Sequence, residues 1–98
     1  MANQVVMKTD NVSVRIMELE HGGGTDWHYH TEVGDFFVCL TGGVQVETRD
    51  PEQKIRLNPG EHTELGATKV HRVVNTAEKK SEYLLVQGIG KYDFNKVD

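Results

Sequence analysis

Residues 27–42 read WHYHTEVGDFFVCLTG, and two features of this stretch decide the fold class. In an extended chain, residues i and i+2 share a face. His28 and His30 then stand side by side, roughly 7 Å apart at their Cα atoms. From there both rings can converge on one metal ion at about 2.1 Å, while Trp27 and Tyr29 take the opposite face. Further along, Asp35, Phe37 and Cys39 share one parity and Phe36, Val38 and Leu40 the other. Gly42-Gly43 breaks the run. This is the pattern of strand, turn and strand.

The same pattern extends outward in both directions. Asn11 to Glu20 alternates. Its β-branched set Val12, Val14 and Ile16 is read as inward, with Ser13, Arg15 and Met17 outward. Val44 to Arg49 alternates again, and Asp50-Pro51-Glu52 is a turn in which Pro presets φ and Asp bonds its own backbone. Ile55 and Leu57 mark a short strand closed by Asn58-Pro59-Gly60. Val70 to Asn75 and Glu82 to Ile89 are two more strands. Thr76 to Tyr83 has too few apolar residues for a helical stripe, and no other segment does better. Short strands at regular spacing predict an all-β sandwich or barrel with little or no helix. Met1 to Thr9 is read as an added edge strand and Lys91 to Asp98 as a polar tail.

With 98 residues and no linker, the chain is expected to be a single domain over residues 1–98. Lys and Arg number 11 against 15 Asp and Glu, a net charge of −4 that argues against nucleic acid and anionic membrane surfaces as partners. The longest apolar run, Phe36 to Leu40, is too short to span a bilayer, and the N-terminus lacks the pattern of a signal peptide. Cys39 is the one cysteine, so no internal disulfide forms; a cytoplasmic location is expected.

The spacing of the remaining residues narrows the reading. Gly22 is followed after five residues by His28-x-His30, then after four by Asp35 and after six by Gly42. Later, Gly60 stands eleven residues before His71, and Asn75 four after it. These two runs, about 22–42 and 60–75, resemble the two motifs of the cupin family. A Glu stands in the family at the position of Asp35, and the family's Pro and Gly of the second motif fall here on Gly66 and Thr68.

The resemblance implies a double-stranded β-helix, or jelly-roll barrel, with one divalent transition metal inside. Carried over by position, the ligands are His28, His30, Asp35 and His71. Asp reaches roughly 1.5 Å less far than Glu. Asp35 therefore binds directly if its strand sits closer, binds through a water, or accepts from a ring N–H instead. Imidazole and carboxylate ligands suit Fe, Mn, Ni or Zn without choosing among them. Gly22, Gly42 and Gly60 are read as turn glycines and Asn75 as structural. His21 and His62 fit no ligand position and are read as surface residues; Glu32 is a reserve candidate for the carboxylate.

Alternation places Phe37, Cys39, Val73, Tyr83 and Gln87 on the inward face as a small-molecule pocket, Cys39 being a core thiol or a reactive one. Arg15, Arg56 and Arg72 have outward parity, so no side-chain cation is expected in the barrel and a strongly anionic ligand is not supported. Outward Trp27, Tyr29, Phe36, Val38 and Leu40 call for a cover, and a homodimer is expected by family analogy. The leading expectation is a metal-dependent enzyme on a small organic molecule, of oxygenase, isomerase, lyase or decarboxylase type, with the catalytic residues unassigned. A non-catalytic module that binds a small molecule beside an anchoring or structural metal is the alternative. A metal-free sandwich with an interaction surface comes third.

Overall fold

The computed structural model describes residues 3–98. Ten strands run β1 (Asn3–Lys8), β2 (Ser13–Leu19), β3 (His28–Tyr29), β4 (Gly34–Thr41), β5 (Val44–Thr48), β6 (Gln53–Leu57), β7 (His62–Leu65), β8 (His71–Asn75), β9 (Ser81–Gly88) and β10 (Asn95–Lys96). They form two five-stranded antiparallel sheets, β1-β2-β9-β4-β7 and β10-β3-β8-β5-β6. No helix occurs among the described residues, and none is long and apolar enough to cross a membrane. The result is an all-β jelly roll.

The period of two explains why the sheets face each other. In β4, Asp35, Phe37 and Cys39 are buried and Phe36 and Val38 half-buried; in β9, Ser81, Tyr83, Leu85 and Gln87 are buried between half-buried neighbours. These side chains meet Val44, Val46, Leu57 and Val73 of the other sheet, with Met17 and Leu19 of β2, in one core. Each fully buried aliphatic or aromatic side chain contributes about 1.5–3 kcal/mol.

Several turns are fixed by single residues. Gly22, Gly42 and Gly60 all have positive φ. Gly42 is the most constrained, because a Cβ there would lie 2.2 Å from Ser81 Oγ. That hydroxyl donates to Gly43 O and accepts from Gly43 N. Asn75 ties the end of β8 to two other segments. Its Nδ2 donates to Leu19 O and Lys79 O, and its Oδ1 accepts from Ala77 N and lies 2.7 Å from Ser81 Oγ.

The structure corrects the sequence reading in four places. In β2 the inward set is Arg15, Met17 and Leu19. Val14 and Ile16 face outward, and Val12 lies before the strand begins. Both faces of β2 carry apolar residues, and the β-branched set lies on the outer one. There it joins Leu84 and Val86 of β9 and Phe36 and Val38 of β4, which register across it. The strand β7 was not anticipated, since HTEL is a four-residue edge strand with one apolar residue, Leu65, and so shows no apolar period. The C-terminal segment is not a free tail: β10 pairs with β3. Trp27 is covered by this chain itself, with the guanidinium carbons of Arg49 and Arg72 lying 4.2 and 4.6 Å from its ring centroid. The expected edge strand is β1; Met1 and Ala2 of that reading lie outside the described residues.

Candidate metal centre

The two sheets bring three imidazoles together at one end of the barrel. His28 on β3 is the cross-strand partner of His71 on β8, and His30 follows β3 directly. Their ring centroids are 4.4, 5.0 and 5.5 Å apart, and one nitrogen of each ring lies within 4.8 Å of the others. All three side chains are buried. Asp35 reaches the cluster from the opposite sheet, where β4 sets it beside Gln87 of β9.

The hydrogen bonds fix which nitrogen points where. Each Nδ1 lies against a backbone carbonyl: His28 on Asp26 O at 2.6 Å, His30 on Asp93 O at 2.6 Å and His71 on Lys69 O at 2.8 Å. A carbonyl only accepts, so each Nδ1 carries the proton and donates. In the neutral rings, each Nε2 is left with a lone pair. Asp35 Oδ2 lies 2.9 Å from His71 Nε2 and 3.3 Å from His30 Nε2. Lone pairs facing a carboxylate at that distance repel unless a cation, a proton or a metal ion, lies between them. Nitrogen and oxygen donors in this arrangement fit a divalent transition metal.

The electrostatics agree with that fit. Burial lowers the pKa of His28 to about 4, with the neighbouring His71 and His30 adding to the effect. His28 is therefore a neutral donor near pH 7. Burial also opposes protonation of His30, but its hydrogen bond to Asp35 and that carboxylate's charge outweigh it and raise its pKa. Burial alone would raise Asp35; hydrogen bonds from His30 and His71 hold it well below the usual carboxylate range. The site is built to keep a carboxylate ionised next to positive charge.

Beside the cluster lies a cavity of about 310 Å³. Of the residues expected to line it, Phe37, Val73, Tyr83 and Gln87 do so. Cys39 does not. It is fully buried in the core, four residues beyond Asp35 along a strand that rises about 3.3 Å per residue. Burial raises its pKa, as for an inert core thiol. Arg15, expected outside, lines the cavity, and its Nη2 donates to Gln87 Oε1. Gln87 Nε2 in turn donates to Asp35 Oδ1 at 2.8 Å.

The sequence reading also missed the C-terminal contribution. Phe94 stacks on His28 with centroids 4.2 Å apart, and Tyr92 lies 5.5 Å from His30. The Asp93 carboxylate accepts from Thr31 N and Thr31 Oγ1, anchoring the segment whose carbonyl orients His30. The one available signal was the alternation of Tyr92 and Phe94. His21 and His62 are exposed and outside the cluster, His62 stacking on Phe36 at the outer face. Glu32 Oε1 accepts from Lys91 N and steadies the same C-terminal segment.

The sequence profile described as "Cupin domain" matches residues 15–87. No curated protein matches the chain in sequence. Among solved structures, the chain is similar to an uncharacterized conserved protein with a double-stranded beta-helix domain from Klebsiella pneumoniae. The TM-score is 0.85 and the identity 18%, covering 99% of this chain and 84% of that one. The polyketide cyclase RemF from Streptomyces resistomycificus gives a TM-score of 0.83 at 18% identity, covering 98% of this chain and 70% of that one. An oxalate oxidase gives 0.81 at 14% identity over 89% of this chain; the match spans 46% of that enzyme.

Proposed function

Because the chain belongs to the cupin family, we propose that it is a mononuclear metal protein acting as an enzyme on a small organic molecule, of oxygenase, isomerase, lyase or decarboxylase type. His28, His30 and His71 hold the metal, with Asp35 as the fourth group. The observation that carries this reading is the shared orientation of the rings. Three Nδ1–H groups are spent on carbonyls while the Nε2 atoms of His30 and His71 face one carboxylate oxygen. Fe, Mn, Ni and Zn all suit these donors. Bound there, such a metal supplies Lewis acidity or activates oxygen.

The chain's own residues do the rest. The three carbonyls lock the rings, Gln87 orients Asp35, and Phe94 and Tyr92 screen His28 and His30 from water. The fold also occurs in the polyketide cyclase and the oxalate oxidase, so it houses catalysis, but identities this low carry over no substrate.

One observation favours the non-catalytic binding module as a second reading. Beyond the metal-site groups, the one carboxylate on the cavity wall is Asp26, an exposed side chain 3.9 Å from Lys96 Nζ. Burial and the Asp35 charge keep the Tyr83 phenol protonated, while His62 and Glu64 stand on the outer, exposed positions of β7. Metal-stripped protein reloaded separately with Fe(II), Mn(II), Ni(II) and Zn(II) separates the two readings. Metal-dependent consumption of a small molecule, or dioxygen uptake with it, is the enzyme's result. Saturable binding without consumption supports the module.

A reducing, cytoplasmic setting fits the single buried thiol of Cys39. We also place a second copy of the chain over the outer sheet face formed by Val14, Ile16, Phe36, Val38, Leu84 and Val86. A contiguous apolar face of this kind is buried most simply by a twofold partner.

A further inference from the structure

We propose that the cavity beside the histidine cluster takes a small monocarboxylic acid and that Arg15 reads its carboxylate. The inference rests on the cavity being the binding site, as proposed above, and adds the chemical class of the occupant. Arg15 is the one basic residue of Lys or Arg type on the cavity wall, and none of the ion pairs among the described residues uses it. A guanidinium has five N–H donors. One goes to Gln87 Oε1, and the Nε–H is buried with no partner.

A buried donor on a charged group is costly to leave unpaired, and no carboxylate of the wall pairs with the guanidinium. Asp35 is engaged by His30, His71 and Gln87. Asp26 is an exposed side chain, 3.9 Å from Lys96 Nζ. An occupant's acceptor would meet the guanidinium where Arg15 lines the cavity, a cation with no ion-pair partner among the described residues. A planar carboxylate matches the guanidinium fork.

Position and size narrow the class further. Gln87 bonds both Arg15 and Asp35, so an acid held by Arg15 has its remaining atoms next to the histidines. The guanidinium is itself steadied over the Tyr92 ring, 5.2 Å from its centroid. Apolar side chains of Met17, Phe37, Val73 and Leu85 share the cavity wall with it. A volume of 310 Å³ is that of about ten liquid waters. An acid with a short apolar or aromatic body fits; a dianion finds no second basic side chain.

The test uses the full chain, metal-stripped and zinc-loaded, titrated with acetate, butyrate and benzoate and with acetamide, butyramide and benzamide. Calorimetry gives affinity, and the ¹⁵N–¹H resonance of the Arg15 side chain reports contact. The expected result is that butyrate or benzoate binds more tightly than acetate and shifts the Arg15 Nε–H signal, and that the matching amides bind at least about tenfold more weakly. Arg15→Met should lose about tenfold or more of the acid affinity with its zinc stoichiometry unchanged, and Arg15→Lys should recover part of it. Spectral dispersion checks that each variant is folded.

The proposal is overturned if no acid binds the wild type, if acids and amides bind alike, or if Arg15→Met binds acids as the wild type does. The metal-stripped arm removes any acid held by the metal alone. Failure to take up zinc would defeat the metal reading while leaving the Arg15 result to be decided in that arm.

Discussion

Each ring of the histidine cluster is oriented by one hydrogen bond from Nδ1, so orientation and metal binding can be tested separately. His71→Ala removes a donor, and tight metal binding should fall below detection by competition with a colorimetric chelator. His62→Ala touches only the outer face and should bind as the wild type. Asp93→Ala leaves every donor in place but frees the clamp on Thr31, so the carbonyl that orients His30 loosens. Metal affinity should drop about tenfold, the usual scale for losing an outer orienting contact. The spacing of His28 and His30 was legible because a strand's period of two sets both rings on one face. Arg15 was not, because β2 has an apolar residue on either parity and the reading chose the β-branched face. Val14 and Ile16 gave a false inward signal, and Met17 and Leu19 hold the true one.

Among the elements, the long alternating strands β4 and β9 could be read from sequence because each buries every second side chain over most of its length. The two-residue strands β3 and β10 are too short to be bounded from a period, although the shared parity of His28 and His30 shows on either side of Tyr29. Pairing decides them: β10 exists because β3 offers it an edge, and that pairing carries Phe94 onto His28. Deleting residues 92–98 should therefore weaken metal binding as well as lower Tm, measured by competition titration and thermal unfolding. The turn between β4 and β5 makes a sharper demand. Gly42→Ala puts a Cβ 2.2 Å from Ser81 Oγ at a φ of 75°. It should destabilise the protein by about 1–3 kcal/mol in urea unfolding.

At the scale of the whole molecule, stability depends on charge, and the proposed second copy and metal would each add to it. Burial disfavours the Glu47 carboxylate, but donors from Gln45 and Arg72 outweigh it and lower its pKa. Its folded value lies below its unfolded one. The stabilisation is therefore fully present above the ordinary pKa of 4.5 and is lost as pH falls through the folded value. Glu47→Gln should flatten the stability–pH curve as pH falls below the ordinary pKa of 4.5, followed by denaturant melts.

If a second copy covers the outer sheet face, Phe36→Glu should shift sedimentation from dimer to monomer. A wild type that sediments as a monomer at micromolar concentration would remove that partner. Metal at a hundredfold excess over Kd adds about 2.7 kcal/mol to a folded chain that binds it. The measurement that tests the central claim most directly is elemental analysis of untagged wild type and His30→Ala, each stripped and then reloaded. The account predicts about one transition metal per wild-type chain and loss of tight binding in His30→Ala. No metal in the wild type under any reloading condition, or the same content in both proteins, would contradict it.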